Sequence, residues 1–82
     1  MEKIKISQTL EEYAKGLGLT IHPLDGGIVF IDADNSKYDA VYCVARVISR
    51  IRKSHPSLVV TALTVVSTAI CKKGAIVCFS RK

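Results

Sequence analysis

One run of residues near the C-terminus constrains the fold of this chain more than any other feature. The segment 58–70 has no charged residue, and apolar side chains occupy both sets of its alternate positions. Because successive side chains of a strand point to opposite faces, such a segment is typical of a strand that is apolar on both faces. Strict alternation places on one face Leu58, Val60, Ala62, Val66 and Ile70, and on the other Val59, Leu63, Val65 and Ala69.

The remainder of the chain predicts two helices, which can cover only part of that strand. Residues 7–18 repeat apolar side chains at helical spacing, and residues 36–56 are apolar over more than half of a helical circumference. A chain of 82 residues is expected to form one domain, residues 1–82, with one small core. If both helices lie on one face of a sheet, the other face stays open as a candidate interface between subunits.

Residues that favour helix ends mark both predicted helices. Ser7 or Thr9 can accept the free amide hydrogens at the start of the first helix. Ser36, followed three residues later by Asp39, resembles a capping box at the start of the second. Pro56 limits the second helix because its ring clashes with a continuing helix.

Turn-forming residues predict two hairpins. An Asp-Gly pair at 25–26 separates two β-favourable runs. A Lys-Lys-Gly turn at 72–74 lies between the apolar segment 58–70 and a further β-favourable run at 75–80. Residues 3–6 alternate lysine with isoleucine, as in a short edge strand. The expected fold is therefore α+β, a small domain of two helices on a four- or five-stranded, mainly antiparallel sheet, in the order (β)-α-ββ-α-ββ.

A different topology follows if the first hairpin is a single strand. The order then becomes βαβαββ, which resembles that of small nucleic-acid-binding domains such as the Alba chromatin proteins and the C-terminal domain of a bacterial translation initiation factor. Topology alone carries this resemblance, and the loop 32–36 reads DADNS, acidic where a phosphate-binding loop of such domains has cations. A likeness of fold implies function only weakly.

Charge is distributed very unevenly along the chain. Residues 1–41 carry four lysines and seven acidic residues, whereas residues 42–82 carry eight basic residues and no acidic one. The formal net charge is +5. Such asymmetry favours an anionic partner for one surface, or a head-to-tail contact between acidic and basic faces of two copies.

The basic residues of the second helix have two interpretations. Residues 39, 43, 46, 50 and 53 are spaced by three or four and are predicted to share the face opposite the apolar one. On one interpretation this face is solvated, and its cations lie favourably near the negative end of the helix dipole. On the other it contacts phosphates, as part of a candidate nucleic-acid site made of Arg46, Arg50, Arg52, Lys53, Lys72, Lys73, Arg81 and Lys82.

No spacing in the sequence encodes a catalytic or metal site. His22 and His55 each precede a proline, and no serine or cysteine nucleophile stands at a known spacing from either. Residues 32–35 begin like a calcium loop, but Lys37 occupies the position that requires glycine. We therefore expect no catalysis, no cofactor and no bound metal.

The cysteines and the hydropathy pattern bear on location. Cys43, Cys71 and Cys78 form no C-x-x-C pair, and an odd number argues against a disulfide framework, so we expect buried or half-buried thiols. Residues 1–12 lack the apolar stretch of a signal peptide. The long uncharged run 55–71 falls short of the ~20 apolar residues of a membrane helix. A cytoplasmic protein without a membrane contact is predicted.

Two functions from different classes remain. The first is a non-catalytic protein-interaction or regulatory module, a homo-oligomer, expected to be a dimer, that associates through Val59, Leu63, Val65 and Ala69. The second is binding of DNA or RNA through the basic residues named above; an acidic protein is a further candidate partner. Exposed aromatic residues for stacking on single strands are not expected beside the basic run, because Tyr13, Tyr38 and Tyr42 are predicted to lie at least partly in the core.

Overall fold

Two helix-plus-hairpin units follow one another in the fold. The structure is a computed structural model, and it describes residues 1–66 and 73–82. Its elements are α1 (Gln8–Gly16), β1 (Thr20–Leu24), β2 (Ile28–Asp32), α2 (Ala40–Ser54), β3 (Leu58–Val66) and β4 (Gly74–Arg81). The four strands form one sheet in the order β1-β2-β4-β3, and every neighbouring pair is antiparallel. The predicted α+β fold and its order α-ββ-α-ββ are confirmed.

Two expectations about the N-terminal half are wrong. Residues 3–6 form no strand, because this segment crosses one end of the molecule, where the Gly26 amide donates to the Met1 carbonyl and His55 contacts the Lys5 carbonyl. Ile4 is nevertheless buried in the core. The first hairpin consists of two paired strands, so the alternative order βαβαββ is also wrong.

The core lies between one face of the sheet and both helices. Val29, Ile31, Ala75 and Val77 are fully buried on that face of the two central strands. The helices bury against it a single cluster of side chains that includes Leu10, Ala14, Val44, Val47 and Ile51. Paired residues of neighbouring strands share a face, so the register of the sheet assigns every strand residue to the helix side or to the opposite side.

Local hydrogen bonds fix where α1 begins and ends. The Leu10 amide donates to the Ser7 side chain, which makes Ser7 the N-cap. After the last turn, the Gly18 amide donates to the Lys15 carbonyl and the Leu19 amide to the Ala14 carbonyl, the two bonds of a Schellman motif. Gly18 has the positive φ, +82°, that this motif requires.

The helix α2 begins later than its sequence signals predict. Asp39 is the N-cap, since its carboxylate accepts the Tyr42 amide at 2.9 Å, and the predicted capping box at Ser36 is wrong. The Ser36 hydroxyl instead donates to the Tyr38 carbonyl in the preceding turn. The helix ends at Ser54, before Pro56 as expected.

A β-bulge in β3 changes which side chains share a face. Val60 pairs with Phe79, but Ala62 pairs with Cys78, so Thr61 is an extra residue without an opposite partner in the register. The prediction that side chains alternate strictly along the whole strand is therefore wrong. After the bulge, Leu63 and Val65 lie on the helix side with Val60, as shown by their buried partners on β4.

Candidate functional site

An apolar groove, the α2–β3 groove, runs between α2 and β3. It has a volume of about 460 Å³. Its walls are the N-terminal half of α2 and the half of β3 beyond the bulge, with the first residues of β4 as its floor. Its lining includes two charged side chains, Asp39 and Lys73, and the apolar side chains of Val41, Ala45, Ile48, Leu63 and Val65.

Large apolar side chains in the groove are exposed to solvent. Val41 is 58% exposed, Leu63 50% and Val65 52%. Isolated exposed apolar residues are common on protein surfaces, but contiguous ones mark sites of interaction. These three line one groove, so they form a single apolar surface beside the core.

The backbone of β3 beyond the bulge is as accessible as its side chains. Within the described sheet, β3 is an edge strand. The Phe79 amide donates to Gly27, which places the polar backbone groups of Phe79, and by alternation of Val77 and Ala75, towards β2. The backbone amide and carbonyl groups of Cys78 and Ile76 therefore point to β3.

It follows that Leu63 and Val65 direct their backbone polar groups away from the sheet. Their neighbours in β3, Ala62 and Thr64, are opposite Cys78 and Ile76 and direct their backbone amide and carbonyl groups inward, to β4. Natural edge strands are usually protected by a charge, a proline or short length. The strand Leu58–Val66 is nine residues long and has no charged residue and no proline, although its bulge interrupts regular pairing at Thr61.

The face of the sheet opposite the helices is a second apolar surface, called here the open sheet face. The register places on it Thr20, His22, Leu24, Ile28, Phe30, Asp32, Val59, Ala62, Thr64, Ile76, Cys78 and Ser80. Leu24 is 47% exposed and Ile76 40%. The rings of His22 and Phe30 stack on this face with centroids 5.8 Å apart.

The residues predicted to form an interface are thus divided between two surfaces. Leu63 and Val65 line the α2–β3 groove. Val59 lies on the open sheet face, because the bulge separates its alternation from theirs. Ala69 lies outside the described residues. The role of these residues in association stays a prediction.

Two of the predicted phosphate contacts are engaged by tyrosines of the same chain. Arg46 donates from Nε to the Tyr13 hydroxyl at 2.7 Å and from Nη1 to the Tyr42 hydroxyl at 2.8 Å. The Arg50 guanidinium lies 4.1 Å from the centre of the Tyr13 ring. The hydrogen bonds that Arg46 donates, first to the Tyr13 hydroxyl and second to the Tyr42 hydroxyl, raise the pKa of Arg46 above its ordinary value. These contacts join α1 to α2, so Arg46 and Arg50 have a structural role.

The other predicted cations lie at two ends of the molecule. Arg81 is opposite Leu58, and the Lys82 amide donates to the Ser57 carbonyl, so both lie beside the turn that follows α2. Arg52 and Lys53 occupy the last turn of α2 at this same end, and all four side chains are exposed. Lys73 lies at the far end of the sheet, next to Gly74, and Lys72 lies outside the described residues.

Several predicted burial states are corrected. Tyr38 and Tyr42 are 64% and 58% exposed, so the expectation that they lie partly in the core is wrong, whereas Tyr13 is half-buried. Cys43 does not share the exposed basic stripe of α2, because it is fully buried beside Ser36. Cys43 and Cys78 are free thiols, buried and half-buried as predicted, and Cys71 lies outside the described residues.

The two histidines are engaged in separate local contacts. His22 stacks on Phe30 in the sheet, and His55 Nε2 lies 2.8 Å from the Lys5 carbonyl oxygen at the end of α2. The Asp32 carboxylate accepts the Asp34 amide at 2.9 Å within the loop that resembled a calcium site. Within residues 1–66 and 73–82, no group of three or more His, Cys, Asp or Glu side chains is placed to hold a metal ion.

Neither helix among the described residues is long and apolar enough to cross a membrane. Comparisons with models of protein families, with curated proteins and with solved structures find no match for this chain. The two apolar surfaces and the distribution of charge are therefore the features of the molecule that bear on function.

Proposed function

We propose that this protein is a cytoplasmic, non-catalytic interaction module that associates with itself through its sheet. One observation carries the proposal: an uncharged edge strand borders a groove of about 460 Å³ that exposes Val41, Leu63 and Val65. Burying such apolar surface against a second protein is favourable by about 25 cal/mol per Å² before the costs of association. The free thiols Cys43 and Cys78 fit a reducing compartment.

The stability of so small a domain supports the same function. A single core of this size is usually marginal, and self-association is one of the common ways to add buried apolar surface. In this chain 49% of the residues are hydrophobic, and several of the large ones are half-exposed on the sheet. Association would then add to the stability of the fold as well as serve the function.

Light scattering coupled to gel filtration tests the proposal. We expect the mass of the unmodified protein to rise from one chain towards two as its concentration is raised from about 1 μM to 1 mM, the range that weak to moderate interfaces cover. Association through apolar surface should persist in high salt, because screening weakens only charge contacts. A mass of one chain at every concentration would overturn the proposal.

Nucleic-acid binding is a second candidate function, and one observation favours it. Arg52, Lys53, Arg81 and Lys82 lie at one end of the molecule. Convergent cations are the electrostatic requirement for a contact with phosphates. Arg46 and Arg50 add less to this candidate than the sequence predicts, because their guanidinium groups are held against tyrosines.

Salt dependence distinguishes this second candidate from the first. If the basic end binds duplex DNA or RNA, the logarithm of the binding constant should fall with the logarithm of salt concentration, by about 0.9 per phosphate contact. The double variant Lys53→Ala with Arg81→Ala should reduce that slope by about 2. The matched variant Lys15→Ala with Lys37→Ala, on other exposed positions, should leave it unchanged. Binding that is absent at low salt would exclude this candidate.

A further inference from the structure

We propose that the partner of the α2–β3 groove is a second copy of this chain, joined by antiparallel pairing of β3 with the β3 of the partner about a two-fold axis at Thr64. This inference rests on the proposed self-association and specifies its geometry. It makes one continuous eight-stranded sheet from two four-stranded ones, with the helices of both copies on the same side.

The backbone of β3 is suited to pairing with itself. Within the described residues, the regular stretch beyond the bulge is 62–66, and Thr64 is its midpoint. Leu63 and Val65 stand on either side of Thr64 and direct their amide and carbonyl groups outward. A two-fold axis at Thr64 therefore sets Leu63 opposite Val65 of the partner subunit, where the two residues exchange hydrogen bonds.

Charged side chains at the two ends of the groove allow one ion pair between subunits under the same axis. Asp39 and Lys73 line one end of the groove, and Arg52 lies beyond its other end, in the hollow where α2 approaches Leu58. Two copies related by the axis place their α2 helices antiparallel, so Asp39 of each copy faces the end of the groove that carries Arg52 in the partner subunit. The strands themselves carry no charge that would oppose close approach.

To bury the area of a stable dimer, the interface must include the walls of the α2–β3 groove as well as the paired strands. Standard interfaces bury about 800 Å² on each partner, and the whole chain exposes 5394 Å². Pairing of five residues per strand buries less than this, so the helix wall must contribute. Under the two-fold axis, Val41 and Ala45 of each copy border the same apolar channel, with Leu63 and Val65 between them.

Site-specific disulfide cross-linking tests the pairing. In a variant in which Cys43→Ala, Cys71→Ser and Cys78→Ser remove the native thiols, Thr64→Cys should cross-link two chains under mild oxidation. Residues that face each other at a non-hydrogen-bonded antiparallel site have Cα atoms about 4.5 Å apart, within the range of a disulfide. Thr61→Cys, the same change three residues away in the same strand, should not cross-link.

Two further measurements separate this geometry from others. Ile76→Cys, on the open sheet face, should cross-link only if the two sheets stack face to face. In the unmodified protein, the amides of Leu63 and Val65 should exchange hydrogen more slowly at high concentration than after dilution.

Cross-linking at Thr64 with concentration-dependent protection of Leu63 and Val65 supports the paired edge. A dimer that does not cross-link at Thr64 and leaves these amides unprotected, or that cross-links at Ile76, overturns the pairing but leaves self-association intact. A protein that is a monomer at all concentrations overturns both.

Discussion

Leu63→Glu is expected to raise the dissociation constant of the proposed self-associated form by at least about 100-fold, equivalent to about 2.7 kcal/mol. The substitution places a carboxylate in the α2–β3 groove, among Val41, Ile48 and Val65. A carboxylate taken out of water without a partner costs several kcal/mol, and a two-fold interface brings two of them together. Sedimentation equilibrium measures the effect.

The variant should still fold, since Leu63 is 50% exposed in the single chain. Leu24→Glu is the matched control, because Leu24 is 47% exposed and lies on the open sheet face of β1. We expect it to leave the dissociation constant within about threefold of the unmodified value, a difference below 1 kcal/mol. If Leu24→Glu dissociates the protein and Leu63→Glu does not, the open sheet face is the interface.

Gly18→Ala is expected to lower the free energy of unfolding by about 3 kcal/mol and the melting temperature by about 10 °C or more. Two effects add. The positive φ of +82° disfavours any residue with a Cβ, and a Cβ at this position would overlap the backbone carbonyl of Asn35. Backbone atoms cannot turn aside as a flexible side chain can, so α1 and the loop before α2 must separate.

Two other glycines distinguish these effects. Gly26 has a φ of +86° with nothing within 4 Å of its Cβ position, so Gly26→Ala should cost only about 1 to 2 kcal/mol. Gly16 lies in the last turn of α1 with open space around it, and Gly16→Ala should stabilise the protein by about 0.5 to 1 kcal/mol. Equal losses for Gly18→Ala and Gly26→Ala would show that the approach of Asn35 contributes nothing.

All three variants need to be unfolded at one protein concentration, because association of the folded state adds to its apparent stability. Urea unfolding followed by circular dichroism is suitable.

The fold could be predicted from the sequence because its signals are local. Helical spacing in α1 and α2 and the Asp-Gly turn at 25–26 each act within a few residues, and together they determine the order of the elements. The start of α2 was harder to predict, since Ser36 and Asp39 are both good caps. Only the structure shows that Ser36 bonds to the turn at Tyr38 and leaves Asp39 to cap the helix.

The candidate site was only partly predictable. The sequence shows that segment 58–70 is apolar at both sets of positions, but the bulge at Thr61 decides which side chains meet α2. The contact between Arg46 and Tyr13 joins residues 33 positions apart, and no periodic pattern connects them. The number of cations in α2 was therefore a poor guide to how many are available for a partner.

A strand without the bulge at Thr61 would present different side chains to the helices. If Thr61 took up regular pairing with β4, Leu63 and Val65 would turn to the side away from the helices, and Ala62 and Thr64 would take their places. Deletion of Thr61 would remove the bulge without this rotation, because the residues on either side of it already alternate in step with their partners on β4. A slip of one residue in the pairing at this point, with no change in the sequence, would therefore move two large apolar side chains to the opposite face of the molecule.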